Sequence, residues 1–234
     1  MSLQLPPLGN LKYKREFPSS VLIEANINSI NDDLMLPRPE VHGMTIDCET
    51  TLDMDDAVWC VRDGINYRVA VSISDVASIV EKDSATDKEA MHRILSLYLR
   101  DKVNPMLPKV LSEETLSLVA GQNRPAITFT TTLNKNAEIL EYEITQTCLR
   151  SQQKLSYIEV NNVLHSQDQD FEYFQMLSDL NQIGSCLYRK RLGKKIDLDP
   201  GSFRSDLIIP ELMILVNHLS AKHLEANGVP TIYR

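Results

Sequence analysis

No run of apolar residues in this chain approaches the roughly 20 needed to cross a bilayer as a helix. Nor does the opening stretch, "MSLQLPPLGNLKYKREFP", contain the continuous apolar segment of a secretory signal. Cysteine is scarce. Cys48, Cys60, Cys148 and Cys186 are scattered with no CxxC pair, which argues against a disulfide framework or a thiolate zinc site and for reduced thiols. Positive charge is in deficit, with 24 Lys and Arg against 32 Asp and Glu and a net charge of −8. A nonspecific nucleic-acid binder would show a basic face instead. An enzyme that acts on nucleic acid around an acidic metal site remains compatible with this balance. Internal repeats and low-complexity tracts are also missing. The expected compartment is the cytoplasm, with no membrane partner, and nothing in the sequence sets an oligomeric state.

What is present is a chain of 234 residues, 43% hydrophobic, enough for a substantial core. Residues 1–43 read as a lead-in. "LPPLGN" and "LPRPEVHG" are irregular, and Pro18, Ser19 and Ser20 open a short helix over "SSVLIEANI". Residues 44–234 form the main body. "AVWCVRDGINYRVAVSIS" is two strands joined at Asp63-Gly64, and "AITFTTTLNKNAEILEYEITQTCL" is a second hairpin turning at "NKNA". Between them, Thr86 and Glu89 have capping-box spacing, and Met91, Ile94, Leu95 and Tyr98 recur as one helix face. The last third carries helical patterns in "YIEVNNVL", "FEYFQMLSDLNQIGSCLYRKRL" and "PELMILVNHLSAKHLEANG", the last stopped by Gly228. The expected class is α+β, a mixed β-sheet with hairpins packed by long helices.

One stretch carries unusual chemistry. "MTIDCETTLDMDDAVWC" gathers Asp47, Asp53, Asp55 and Asp56, with Glu49, beside an apolar segment. Carboxylates this close repel each other, and burial without a counter-ion would push their pKa values up. Short hard-oxygen ligands suit Mg²⁺, and two such ions can activate water and stabilise the leaving oxygen of a phosphodiester. On a strand, Asp53 and Asp55 would share one face and Asp56 the other, with Asp47 returning through a loop. Spacing alone fits a solvated acidic turn equally well. The segment lacks the glycine and terminal glutamate of an EF-hand loop.

The ordered motifs go further. "TIDCETTLDMDDAV" resembles the T-I-D-x-x-x-x-x-D-x-D-D-A signature of the ribonuclease II / ribonuclease R family. "VAVSISDVASIV", "SATDKEA", "LYLRDKVNPMLPKVLSEETLSL", "LRSQQKLSYIEV" and "PELMILVNHLSAKHL" resemble later family segments in the family's order, from about residue 44 to the C-terminus. The resemblance implies an RNB-type catalytic domain of a 3′→5′ exoribonuclease that hydrolyses single-stranded RNA to 5′-mononucleotides with Mg²⁺, with Mn²⁺ as a substitute. It implies that Asp47, Asp53, Asp55 and Asp56 are the catalytic and metal-binding residues. Tyr98 matches the tyrosine that stacks on the 3′-terminal nucleotide; the alternative is a core tyrosine on a helix face. Glu211 matches a glutamate that holds the terminal nucleotide, against a first-turn glutamate favoured by the helix dipole. Asp75 reads as structural, capping or bonding a turn. The run "YRKRLGKK" over 188–195 either touches RNA phosphates or stays solvated at a helix end.

Three departures follow from the same resemblance. Forty-three residues ahead of the signature leave no room for the family's RNA-binding barrels. The S-P-I-R-R-Y segment, whose arginine contacts the scissile phosphate, is absent, so the domain is expected to be incomplete at its C-terminus. Leu198 stands where a clamp phenylalanine often sits. The alternative function is a non-catalytic RNA-binding or assembly subunit derived from such an enzyme.

Overall fold

A computed structural model describes residues 16–28, 30, 32–98, 103–193 and 204–231. Its centre is a closed five-stranded barrel. In chain order, helix α1 (Ser19–Ile27) and the single turn α2 (Asp32–Met35) precede β1 (Glu40–Asp47). Strands β2 (Asp56–Asp63) and β3 (Asn66–Ser74) follow, then helix α3 (Ala85–Arg93) and a two-stranded ribbon of β4 (Leu97–Tyr98) and β5 (Val103–Asn104). The long hairpin of β6 (Asn123–Leu133) and β7 (Ile139–Ser156) leads into α4 (Tyr157–Ser166), α5 (Phe174–Leu192) and α6 (Ser205–Ala226). The α+β class and both hairpins agree with the sequence patterns; the closure of the sheet is additional.

Closure depends on β7. Its first half pairs antiparallel with β6, and its second half pairs parallel with β1, from Glu40↔Cys148 to Asp47↔Ser156. The ring then closes through Met44↔Val58 between β1 and β2. Gly43 sits at a register shift beside that contact. A β-carbon there would lie 2.8 Å from Leu149 Cδ1 and 3.0 Å from Ala57 Cβ, so a bare backbone is what lets three strands approach.

The core forms where the helices cover one face of these strands. Met44, Ile46, Val58, Val69, Val71 and Leu133 pack against Leu164, Leu177, Leu180, Ile208, Leu212 and Leu219. The opposite face buries Ala57, Leu118, Ala126 and Leu149. Three hydroxyls there satisfy one another, Ser72 to Thr128 at 2.8 Å and Thr128 to Thr147 at 2.7 Å. Among the described residues no helix is long and apolar enough to cross a membrane. The four cysteines are free thiols.

Several local expectations need correction. Helix α3 is capped by Ser84, whose hydroxyl accepts the Asp87 N–H, and not by Thr86 with Glu89. The Met91-Ile94-Leu95-Tyr98 stripe is not a helix face. The helix stops at Arg93 because Ile94 turns to φ +71°, a conformation that no helix continues and that a β-branched residue seldom adopts. Helix α6 begins five residues ahead of Pro210, which lies inside it. Gly228 does follow its end, at φ +66°. Leu198 lies outside the described residues.

Asp75 is structural, though through a distant partner. Its carboxylate accepts from Arg38 Nη1 at 2.9 Å, with the two side chains only 5% and 7% exposed. The pair ties the lead-in to the end of β3. Asp75→Asn leaves the guanidinium buried without its counter-charge and is expected to cost about 3–5 kcal/mol. Chemical denaturation of the variant and the parent measures that loss directly.

Candidate active site

Antiparallel pairing of β1 with β2 brings the last residue of β1, Asp47, to the end where β2 begins at Asp56. The loop between them supplies Asp53 and Asp55. This loop is not a strand, contrary to the simplest reading of its alternating acids. Its backbone is held by other elements instead. Lys154 Nζ donates to the carbonyls of Glu49 at 3.1 Å and Thr51 at 2.6 Å. Ser117 Oγ donates to the Leu52 carbonyl and accepts the Met54 N–H, at 2.7 and 3.2 Å. The Met54 carbonyl accepts from Leu118, and the Asp55 carbonyl accepts from Ser74.

Met54 is buried and anchors the loop, and its two acidic neighbours face a cleft of about 270 Å³. Asp53, Asp55, Ser74, Tyr98, Met106 and Leu107 all line it. Asp56 does not. Asp53 and Asp55 thus share the cleft through an anchored methionine and not through strand alternation.

The electrostatics follow from crowding. Burial, then Asp55 and Asp47, push the Asp56 carboxyl up to about 7. Its Oδ2 is buried with no hydrogen-bond partner. Asp47 is also raised, by burial first and then by Asp55, with Lys154 opposing. Asp55 shifts upward through burial, opposed by its own backbone N–H, and then through Asp53. Tyr157, the first residue of α4, has its phenol pushed up to about 12 by burial and then by Asp47 and Asp56. It therefore stays protonated beside the acids.

Tyr98 is not a core residue. It is 66% exposed on the ribbon, and its hydroxyl donates to Asp53 Oδ2 at 3.0 Å. Glu211 is placed elsewhere. It is buried in the second turn of α6, beyond the first turn where the helix dipole acts, and pairs with Arg191 at 2.5 Å. It lines a different cleft with Leu187, Lys190, Ile214 and His218. The structure does not bring it to the aspartates. That pairing also commits Arg191 of the basic run, whose Lys194 and Lys195 lie outside the described residues. Lys154 and Tyr157 were not singled out by the sequence. The Ser156-x-x-Glu159 capping box, present at 3.1 and 2.7 Å, is the signal that would have placed α4 beside Asp47.

The donor chemistry here fits a hard divalent cation: carboxylates only, mutually repelling, one oxygen buried and unpaired. The present geometry is less complete. Among the described residues, no group of three or more His, Cys, Asp or Glu side chains is arranged to hold a metal ion.

The RNB domain model matches residues 40–234, and the chain belongs to that family. It is similar to Ribonuclease R 1 of Lactococcus lactis subsp. lactis, 29% identical over 98% of this chain and 32% of the relative. Its structure is similar to Mycoplasma genitalium RNase R in complex with ribose-methylated single-stranded RNA, with a TM-score of 0.83 and 23% identity over 92% of this chain and 38% of that one. It also resembles the yeast pseudonuclease Ssd1, with a TM-score of 0.69 and 18% identity over 84% of this chain and 27% of that one. At these identities the structural likenesses speak for the fold alone. The chain spans about a third of the length of the curated relatives it matches.

A pH test of the acidic site follows. A carboxyl raised to about 7 in the folded state and near 3.9 unfolded leaves its native-state advantage intact below pH 4. That advantage is lost as pH rises through 7. Without divalent metal, Asp56→Asn is expected to stabilise the protein at pH 8 by about 2–4 kcal/mol, and by much less at pH 4. Denaturant unfolding in a chelator at the two pH values gives the comparison.

Proposed function

We propose that these residues form the catalytic core of a 3′→5′ exoribonuclease acting on single-stranded RNA with Mg²⁺, Mn²⁺ serving as a substitute. The observation that carries the reading is Asp56 Oδ2, buried without a hydrogen-bond partner on a carboxylate beside Asp47 and Asp55. The fold by itself would not carry it, because a pseudonuclease shares that fold. Asp47, Asp53, Asp55 and Asp56 would hold the ion, which when bound supplies charge for the scissile phosphate and lowers the pKa of attacking water. The rest falls to the chain. The carboxylates orient the water and take its proton. Lys154 keeps the acidic loop closed against β7, and Tyr157 offers a protonated hydroxyl beside Asp47 and Asp56.

Tyr98 gives the reaction its end-point. An exposed ring stacks on any base, worth roughly 1–3 kcal/mol per base, without reading sequence. Its hydroxyl bond to Asp53 holds the ring beside the acids, where the terminal base docks. Release of one nucleotide at a time follows from such a stop. Glu211, set in another cleft beside Arg191, is not assigned to this step.

The test is Mg²⁺-dependent shortening of 5′-labelled single-stranded RNA. A ladder growing from the 3′ end is expected, with Asp55→Asn slowing it by at least about 10²–10³-fold while RNA binding persists. Binding with no shortening in the unaltered protein would replace this reading with the non-catalytic RNA-binding subunit.

A further inference from the structure

Tyr98 reaches the acids from a ribbon only two residues wide, and a single guanidinium holds that ribbon at its base. Arg93, the last residue of α3, donates from Nη1 to Asn104 Oδ1 and to the Pro105 carbonyl, both at 3.1 Å. Asn104 stands opposite Leu97 in the ribbon, and Val103 stands opposite Tyr98. The other edges of the same group face away from the ribbon. Nε donates to Glu89 Oε1 at 3.0 Å, and Nη2 donates to the Glu16 carbonyl at 3.0 Å. The plane lies over the Phe17 ring, 3.7 Å from its centroid. Arg93 and Glu89 side chains are 4% and 8% exposed, so water does not compete for these bonds.

The other end of α3 is held by the same upstream segment. The Glu24 carboxylate accepts the N–H groups of Ala85 and Thr86 at 2.9 and 3.3 Å. Residues 16–24 therefore clamp α3 at both termini. Immediately past the clamp, Ile94 takes φ +71° and ψ −40°, while 77% exposed. This strained turn gains nothing from burial and persists only because its surroundings impose it. It redirects the chain from the helix into the ribbon, where the Met106 N–H is received by Ser96 Oγ at 2.9 Å.

We propose that Arg93, locked by Phe17 and Glu16, is the positioning residue that sets Tyr98 against Asp53. Residues 16–24, which lie ahead of the RNB-matched residues 40–234, are then a working part of the site. This rests on the exoribonuclease reading for its consequence, and on geometry alone for the anchoring. Stacking by Tyr98 acts on bound RNA before and during reaction alike, so loosening it raises KM and leaves kcat.

Phe17→Ala removes the ring and keeps every hydrogen bond of Arg93; Arg93→Lys keeps the charge and loses the fork. Each is expected to raise KM for single-stranded RNA by about fivefold, with kcat changed by less than about twofold. Adding Phe17→Ala to Tyr98→Ala is expected to change nothing further. Additive losses, or an unchanged KM, would overturn the proposal. Hydrogen exchange supplies the second readout: the Met106 amide speeds up in Phe17→Ala while the Val71 amide in the barrel does not. Equal acceleration of both would reduce Phe17 to a general structural role, and acceleration of neither would remove the anchor. If the unaltered protein does not shorten RNA, the nuclease reading fails while the exchange result still decides the anchoring.

Discussion

Repulsion among Asp47, Asp53, Asp55 and Asp56 is the constraint to which the rest of this structure responds. Left to itself, a loop carrying these charges would open into solvent, where each carboxylate is best hydrated. It is kept in place by bonds to its backbone, not by neutralising its side chains. Lys154, Ser117, Leu118 and Ser74 each take a carbonyl or amide of residues 49–55, from three different parts of the chain. The barrel makes that possible. Only because β7 turns to run parallel beside β1 does Lys154 stand over the loop and Ser156 over Asp47.

The same arrangement separates what is general from what is specific in the fold. A TM-score of 0.83 to an RNase R and of 0.69 to a pseudonuclease shows one scaffold carrying different chemistry. The acid set at the end of β1 and β2 and the exposed ring beside it carry the reading proposed for this chain. Both are present here, and both are maintained at a cost in stability: an unpaired buried oxygen on Asp56 and a left-handed Ile94. Local conflicts of this kind collect where a chain is shaped for function and not for stability.

Much of this was legible beforehand, for identifiable reasons. Hairpins announce themselves through period-two patterns and turn residues, as at Gly64, and the aspartates through their density. The barrel's closure was not legible, because a parallel pairing between residues 40–47 and 148–156 leaves no local signal. Tyr98 matched a helical spacing that the real backbone abandons at Ile94. The sequence rules expect glycine or asparagine at such a turn, and an isoleucine hides it. Asp75 was recognisable as structural, but its partner Arg38 is 37 positions away and invisible to a local reading. Glu211 carried two readings, and its burial against Arg191 in a separate cleft supports neither the shared site nor the helix-dipole role.

The central claim is that these carboxylates are held together for a divalent cation, and binding of Mg²⁺ tests it most directly. A ligand that binds only the folded protein at about 100 times its Kd adds about 2.7 kcal/mol of stability. Unfolding at pH 8 across a Mg²⁺ titration is therefore predicted to show a saturable rise in the midpoint that disappears in Asp47→Asn. A midpoint indifferent to Mg²⁺, or one that rises equally in that variant, would contradict the account.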